Sequence, residues 1–223
     1  MTDQNSLVLA SNSPRRRQLL ELTGWLFSVL PADVDESLLP GEEAPAYVMR
    51  LADSKAQAVS RLSGDHAIVL AADTTVVDGD AILGKPVDAG QASAMLRGLR
   101  GHAHRVYTGL ALCRGAGAVM VSDLCQTEVP MRAYTDEEVQ EYVASGDPLD
   151  KAGAYGIQHP NFHPVESMQG CFASVMGLPL CHLQRSLAHL GLEPVEDIPA
   201  RCQAALSYQC PVWRSILRNE IAG

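Results

Sequence analysis

Two rhythms of apolar residues alternate along the chain. Short dense runs such as 67–72 predict buried strands, and apolar residues three and four apart predict helices. Residues 6–10 read as a strand, 14–24 as the helix that follows, and 26–31 as a return to strand character. The acidic, proline-bearing stretch 31–45 reads as a loop. A long helix over 45–62 carries Tyr47, Leu51, Ala58 and Leu62 at helical spacing. The strand 67–72 comes next, then 75–77, a turn at Asp78-Gly79-Asp80 and 82–83, which together signal a hairpin. After a helix over 89–100, two longer strands, 104–113 and 118–131, meet at Gly115-Ala116-Gly117. Thr135 with Glu138 forms a capping box for a helix running to Ser145. A loop rich in Gly and Pro covers 146–164, and a further helix runs from about Pro179 to Gly191. This order predicts an α/β or α+β fold with a largely continuous sheet.

Composition narrows the function classes. A chain of 223 residues, 47% of them hydrophobic, can bury one substantial domain or two close-packed lobes. No window approaches the length of apolar chain that spans a membrane, and no basic segment precedes a long apolar run, so neither a membrane partner nor a secretory signal is expected. The net charge of −9 argues against a nucleic-acid polymer as partner, but a local cluster of Arg and Lys can still hold a small phosphorylated ligand. The 6 cysteines include no Cys-x-x-Cys pair, which predicts reduced, mostly buried thiols and a cytoplasmic location.

Three segments carry candidate chemistry. In Ala10-Ser11-Asn12-Ser13-Pro14-Arg15-Arg16-Arg17, Ser13 suits an N-cap and Pro14 the first helical position, so free backbone N–H groups face outward. Three arginines in that first turn oppose the helix dipole, and an anion bound among them would reverse the sign. A phosphate site and a capped surface helix with solvated arginines both fit, and Arg17 is the most readily solvated. In the second segment the apolar strand ends at Asp73-Thr74, where a carboxylate could hold Mg²⁺ or orient water; a turn-capping Asp is the plainer reading. Glu36 could add a second carboxylate, a solvated acidic loop being its plainer reading; Lys55 and Lys85 each read alone as surface, and Lys85 could still touch phosphate. The stretch 79–85 has the spacing of a P-loop, but Pro86 stands where a Ser or Thr is required, so that motif is rejected. The third segment, 146–158, combines Gly153 and Gly156 with Lys151 and Gln158; Lys151 could meet phosphate and Gln158 a base edge.

Together these segments resemble the Maf family of nucleotide pyrophosphatases. The matching residues are Ala10-Ser11-Asn12-Ser13-Pro14-Arg15-Arg16, Val34-Asp35-Glu36, Arg50-Leu51-Ala52, Lys55-Ala56, Ala72-Asp73-Thr74 and Gly84-Lys85-Pro86. They continue through Val106-Tyr107-Thr108-Gly109, Pro148-Leu149-Asp150-Lys151-Ala152-Gly153-Ala154-Tyr155-Gly156-Ile157-Gln158 and Gly177-Leu178-Pro179, in family order. The resemblance spans about residues 7–192, giving a domain over 1–193 and a tail, 194–223, outside it. The segment 159–169 is longer than the family pattern leads one to expect. The tail's expected role is packing against the domain or against a second copy in a homodimer.

The resemblance implies an elongated mixed sheet flanked by helices, two lobes with a central cleft, and kinship with inosine-triphosphate pyrophosphatases. It implies hydrolysis of a nucleoside triphosphate between the α and β phosphates, assisted by Mg²⁺ or Mn²⁺. Asp73 matches the family's general base, and Glu36 with Asp73 its metal-side carboxylates. Ser11, Ser13, Arg15, Arg16, Lys55, Thr74, Lys85, Lys151 and Gln158 match the substrate-binding positions. Arg15, Thr74 and Gln158 follow the dTTP- and UTP-preferring branch, where modified pyrimidine triphosphates are also expected substrates; the 7-methyl-GTP branch carries Trp, Gln and Glu there. Two other readings stand beside this one: a non-catalytic nucleotide-binding regulator of cell division, and a purine-directed house-cleaning pyrophosphatase.

Overall fold

The apolar runs become the centre of one mixed sheet. The computed structural model describes residues 6–64, 66–115 and 118–220; Ala116 and Gly117, where the two longer strands are expected to meet, fall outside them. Six strands, β1 (Leu7–Leu9), β2 (Phe27–Val29), β3 (Ile68–Asp78), β4 (Ala81–Leu83), β5 (Ala103–Arg114) and β6 (Ala118–Pro130), join in the order β2-β1-β3-β5-β6, with β4 on β3. β2, β1 and β3 run parallel, whereas β3, β5 and β6 are antiparallel. Helices α1 (Pro14–Glu21), α2 (Ala44–Ser60), α3 (Ala89–Leu99), α4 (Asp136–Ala144), α5 (Phe172–Val175), α6 (Leu180–Ala188), α7 (Ile198–Leu206) and α8 (Trp213–Leu217) flank it.

Alternation along β3 sorts the two faces. Val69 and Ala71 point to a layer of small residues that includes Ala52, Ala56 and Val59 of α2, so that helix lies close on the sheet. Leu70 and Ala72 point to the larger core, with Leu96, Leu110, Tyr134 and Leu178. Three expectations change. First, the strand does not end before Asp73: β3 is continuous because β5 pairs with it from Ile68 to Val77. Second, the buried stripe of α2 is Val48, Leu51, Ala52, Lys55, Ala56 and Val59; Ala58 lies beside it and Leu62 is exposed beyond the helix end. Third, the loop 146–164 holds two 3-10 turns, Asp147–Asp150 and Ala152–Ala154. The capping box of α4 forms as Thr135 and Glu138 predict.

The tail forms α7 and α8, which pack on α6 and bury Ile198 and Ile216 completely. Tyr208 donates its hydroxyl toward the carbonyls of Met168 and Gly170, and Arg185 donates to Ile216 O at 2.9 Å. All six cysteines are free thiols, and burial pushes Cys202 up to about 12. Among the described residues, no helix is long and apolar enough to cross a membrane.

Candidate active site

A gap in the edge of β3 creates the cleft. β1 covers that edge only as far as Leu70, and β4 joins it only from Val76. Around the gap opens a cavity of about 620 Å³. It gathers Ser11, Ser13, Arg15 and Arg16 from the β1–α1 turn, Glu36 from the loop after β2, and Lys55 from α2. Asp73 and Thr74 come from β3, Lys85 from beyond β4, and Lys151 and Gln158 from the segment after α4. All eleven residues singled out in the sequence therefore face one space.

The α2 side holds a carboxylate–lysine–carboxylate group. Lys55 Nζ donates to Asp73 Oδ1 at 2.6 Å and pairs with Glu36 Oε1 at 2.6 Å. Gly109 makes this reach feasible. It lies opposite Asp73 in the ladder, and a Cβ there would sit 2.7 Å from Val48 O, so only glycine lets α2 come so near. Burial pushes the Glu36 carboxyl up, but the hydrogen bond and charge of Lys55, with Lys85 and Arg16, outweigh it and leave it below the ordinary value. Among the described residues no cluster of three or more His, Cys, Asp or Glu is disposed to hold a metal.

Thr74, next in the strand, points to the other face, where Arg16 lies half-buried. Arg16 donates Nε–H to Gly177 O at 2.8 Å, Nη1–H to Ser11 Oγ at 3.3 Å and Nη2–H to Thr74 Oγ1 at 3.3 Å. Thr108 gives its hydroxyl proton to Ser174 O at 2.8 Å, so Thr74 is the donor in the 2.9 Å bond between the two threonines. The chain of bonds thus runs one way, from Arg16 through Thr74 and Thr108 to a backbone carbonyl. Gly177 holds φ at +107°, and a Cβ there would sit 3.1 Å from Arg16 Nε. Burial pulls Arg16 below its ordinary pKa, with the Asp73 charge opposing.

The opposite wall is a clasp around Lys151. Its ammonium donates to Asp147 O at 2.6 Å, Asp147 Oδ1 at 2.8 Å and Asp150 Oδ1 at 2.6 Å. Tyr142 donates to Asp147 Oδ2 at 2.6 Å and accepts from Gly156 N–H at 2.8 Å. Arg15 Nη1 lies 3.4 Å from Asp150 Oδ2. Gly153, at φ +68°, lets the segment turn inward so that its N–H meets Gly84 O at 3.1 Å. Burial raises both aspartates, and the Lys151 hydrogen bonds outweigh it, so both lie below the usual carboxylate range. Lys85 and Gln158 are exposed at the rim, and Arg17 is exposed on α1.

Sequence reasoning assigned no role to Tyr142, Asp147, Asp150, Thr108 or Gly177. Acids one and four residues before Lys151 were the available signal for the clasp. Lys55 announced itself as a charge inside the apolar stripe of α2.

Fold and cleft define a class: a mixed α/β protein whose open sheet edge forms a cleft rich in cations. Five cations and three carboxylates line that site, in a chain whose net charge is −9. The chain belongs to the Maf-like protein family, whose model matches residues 6–190. It is 48% identical over 193 residues to the dTTP/UTP pyrophosphatase of Hahella chejuensis, covering 86% of this chain and 95% of that one. It is 46% identical over 209 residues to the dTTP/UTP pyrophosphatase of Thermomicrobium roseum, covering 93% and 94%. Among solved structures, a HAM1 protein from Coxiella burnetii matches with a TM-score of 0.43 at 16% identity, covering 68% of this chain and 86% of that one.

Proposed function

We propose that the chain is a nucleoside triphosphate pyrophosphatase that converts dTTP and UTP to the monophosphate and pyrophosphate. The observation that carries this reading is the excess of cations in the cleft around the Glu36–Lys55–Asp73 group. The relatives named dTTP/UTP pyrophosphatase support the substrate class. Arg15, Arg16, Lys85 and Lys151 bind the non-bridging oxygens of the triphosphate, with Ser11 and Ser13 at the helix start. Water attacks the α-phosphorus in line and gives its proton to Asp73, while the bond to the α–β bridging oxygen breaks and pyrophosphate leaves. Lys55 keeps Asp73 in position and neutralises charge that develops on the phosphoryl oxygens. Glu36 and Asp73 supply two carboxylates, a donor set that suits Mg²⁺ or Mn²⁺ when phosphate oxygens and water complete the shell. Such an ion would supply charge neutralisation and polarise the phosphoryl oxygens.

For the base, Gln158 offers a donor and an acceptor at the cleft rim, with Arg15 and Thr74 completing the proposed specificity set. The six free thiols support a cytoplasmic location. The test is pyrophosphate release from a panel of triphosphates with Mg²⁺, Mn²⁺ or a chelator. The expected result is fastest release from dTTP and UTP, abolished by the chelator. Binding without release from any triphosphate would instead indicate a nucleotide-sensing regulator, and preference for purines a different pyrophosphatase.

A further inference from the structure

A second cavity, of about 870 Å³, opens beside the cleft and shares Ile157, Gln158 and Met176 with it. Its walls come from three places: Leu19 of α1 and Leu22 just beyond it, Met168 and Phe172 ahead of α6, and Leu206 and Tyr208 at the end of α7. These side chains are apolar except for the Tyr208 hydroxyl, which is engaged by the carbonyls of Met168 and Gly170, while Gln18, His163, Ser167 and Ser207 add polar groups to a lining that is mainly apolar. The α7 wall lies beyond residue 190, where the family model ends.

Backbone conformation marks the same place. Five non-glycine residues among those described have positive φ, and three of them line this cavity: His163 at +42°, Ser167 at +51° and Ser207 at +49°. Side chains disfavour that region, and residues held there concentrate around ligand sites.

The shared wall indicates what would enter. Gln158 belongs to both spaces, so a base read by its amide would have the phosphate cleft behind it and the second cavity beyond. The two substrates in the relatives' names differ in the base at C5, where thymine carries a methyl and uracil a hydrogen. A site that serves both must leave room for a methyl at that carbon, and the second cavity offers space further on. We propose that the second cavity is a subsite for an apolar substituent at C5 of a pyrimidine nucleoside triphosphate, larger than the thymine methyl. This inference rests on the pyrophosphatase reading above.

The test compares dUTP, dTTP and 5-(1-propynyl)-dUTP in two ways. In steady-state turnover, the wild-type chain should process the propynyl nucleotide within about threefold of dTTP. Ala205→Arg, at an exposed position lining the cavity, should lower its kcat/KM by about tenfold or more while dTTP stays within about twofold. In calorimetry on Asp73→Asn, which needs no change in the tail, the propynyl nucleotide should bind at least as tightly as dTTP. Binding and turnover of dTTP with at least tenfold loss for the propynyl nucleotide would overturn the subsite and leave the pyrophosphatase reading intact. Calorimetric binding of the series without cleavage by the wild type would refute the enzymatic reading, and the order of affinities would still judge the subsite. Absence of both binding and cleavage for all three would overturn both.

Discussion

Two lysines face the cleft from opposite walls, each between two carboxylates, and the chain holds them in opposite ways. The partners of Lys151 stand one and four residues before it, and all three ammonium protons go to acceptors in that short stretch. Lys55 takes its partners from β3 and from the loop after β2, so its pairing exists only when sheet, loop and α2 have assembled. Lys151 is therefore fixed by its own segment, and the role proposed for it is to add fixed positive charge to a rigid phosphate cradle. Lys55 shares its charge with Asp73, the group proposed to handle the proton. Positioning and chemistry are thereby divided between the walls, the arrangement that phosphoryl chemistry favours.

Variants on the two walls should separate those roles, in order of decreasing effect. Asp73→Asn should lower kcat by about 10²–10⁴-fold, with a melting temperature close to that of the wild type because Lys55 keeps Glu36. Steady-state kinetics paired with thermal melts would check it, and near-normal turnover would remove Asp73 from the role.

The next effect concerns stability beneath the Lys151 segment. His104 is buried against Tyr155, with a 2.8 Å hydrogen bond to its hydroxyl and Nδ1 unpartnered. Burial holds its pKa down at about 4 against an ordinary 6.5. The unfolded chain therefore binds a proton that the folded chain refuses between those values, and stability falls as pH drops through that window. The loss attributable to His104 is roughly 3 kcal/mol. Denaturant titrations at pH 7 and pH 4 would measure it, and the slope should flatten in His104→Gln.

Tyr142→Phe removes the donor to Asp147 Oδ2 and the acceptor of Gly156 N–H. It should cost about 1–3 kcal/mol in urea unfolding, and raise KM more than it lowers kcat. An equal fall in kcat with KM unchanged would contradict the division of roles. Asp150→Asn should be the mildest, since its side chain is 62% exposed and its pair with Arg15 is long. Stability should change by less than about 1 kcal/mol. KM for dTTP should fall by about threefold, because an anion that competes with phosphate for Arg15 and Lys151 is gone.

What could be read in advance follows from how local each feature is. The Ser13 cap accepting from Arg16 N–H, the Thr135–Glu138 box and the β3–β4 hairpin are set by residues within a few positions of one another, and all three form. Asp73 was legible as a candidate but not its setting. A polar pair inside an apolar run resembles a strand end, and β5, more than thirty residues on, supplies the ladder that continues the strand. The burial of Lys55 was present in the helical stripe but hidden by the habit of reading lysine as surface. The need for glycine at 109 and 177 could not be read from their neighbours, because the atoms that demand it, Val48 O and Arg16 Nε, arrive from distant elements. The same holds for the one-way bond chain from Arg16 to Ser174, which joins four elements.

The central claim, water attack on the α-phosphorus in a cleft organised around Asp73, is tested most directly by hydrolysing dTTP in ¹⁸O-labelled water and weighing both products. Label in the thymidine monophosphate, with unlabelled pyrophosphate released alongside it, is the predicted result. Label in the pyrophosphate, or release of orthophosphate in its stead, would contradict the account.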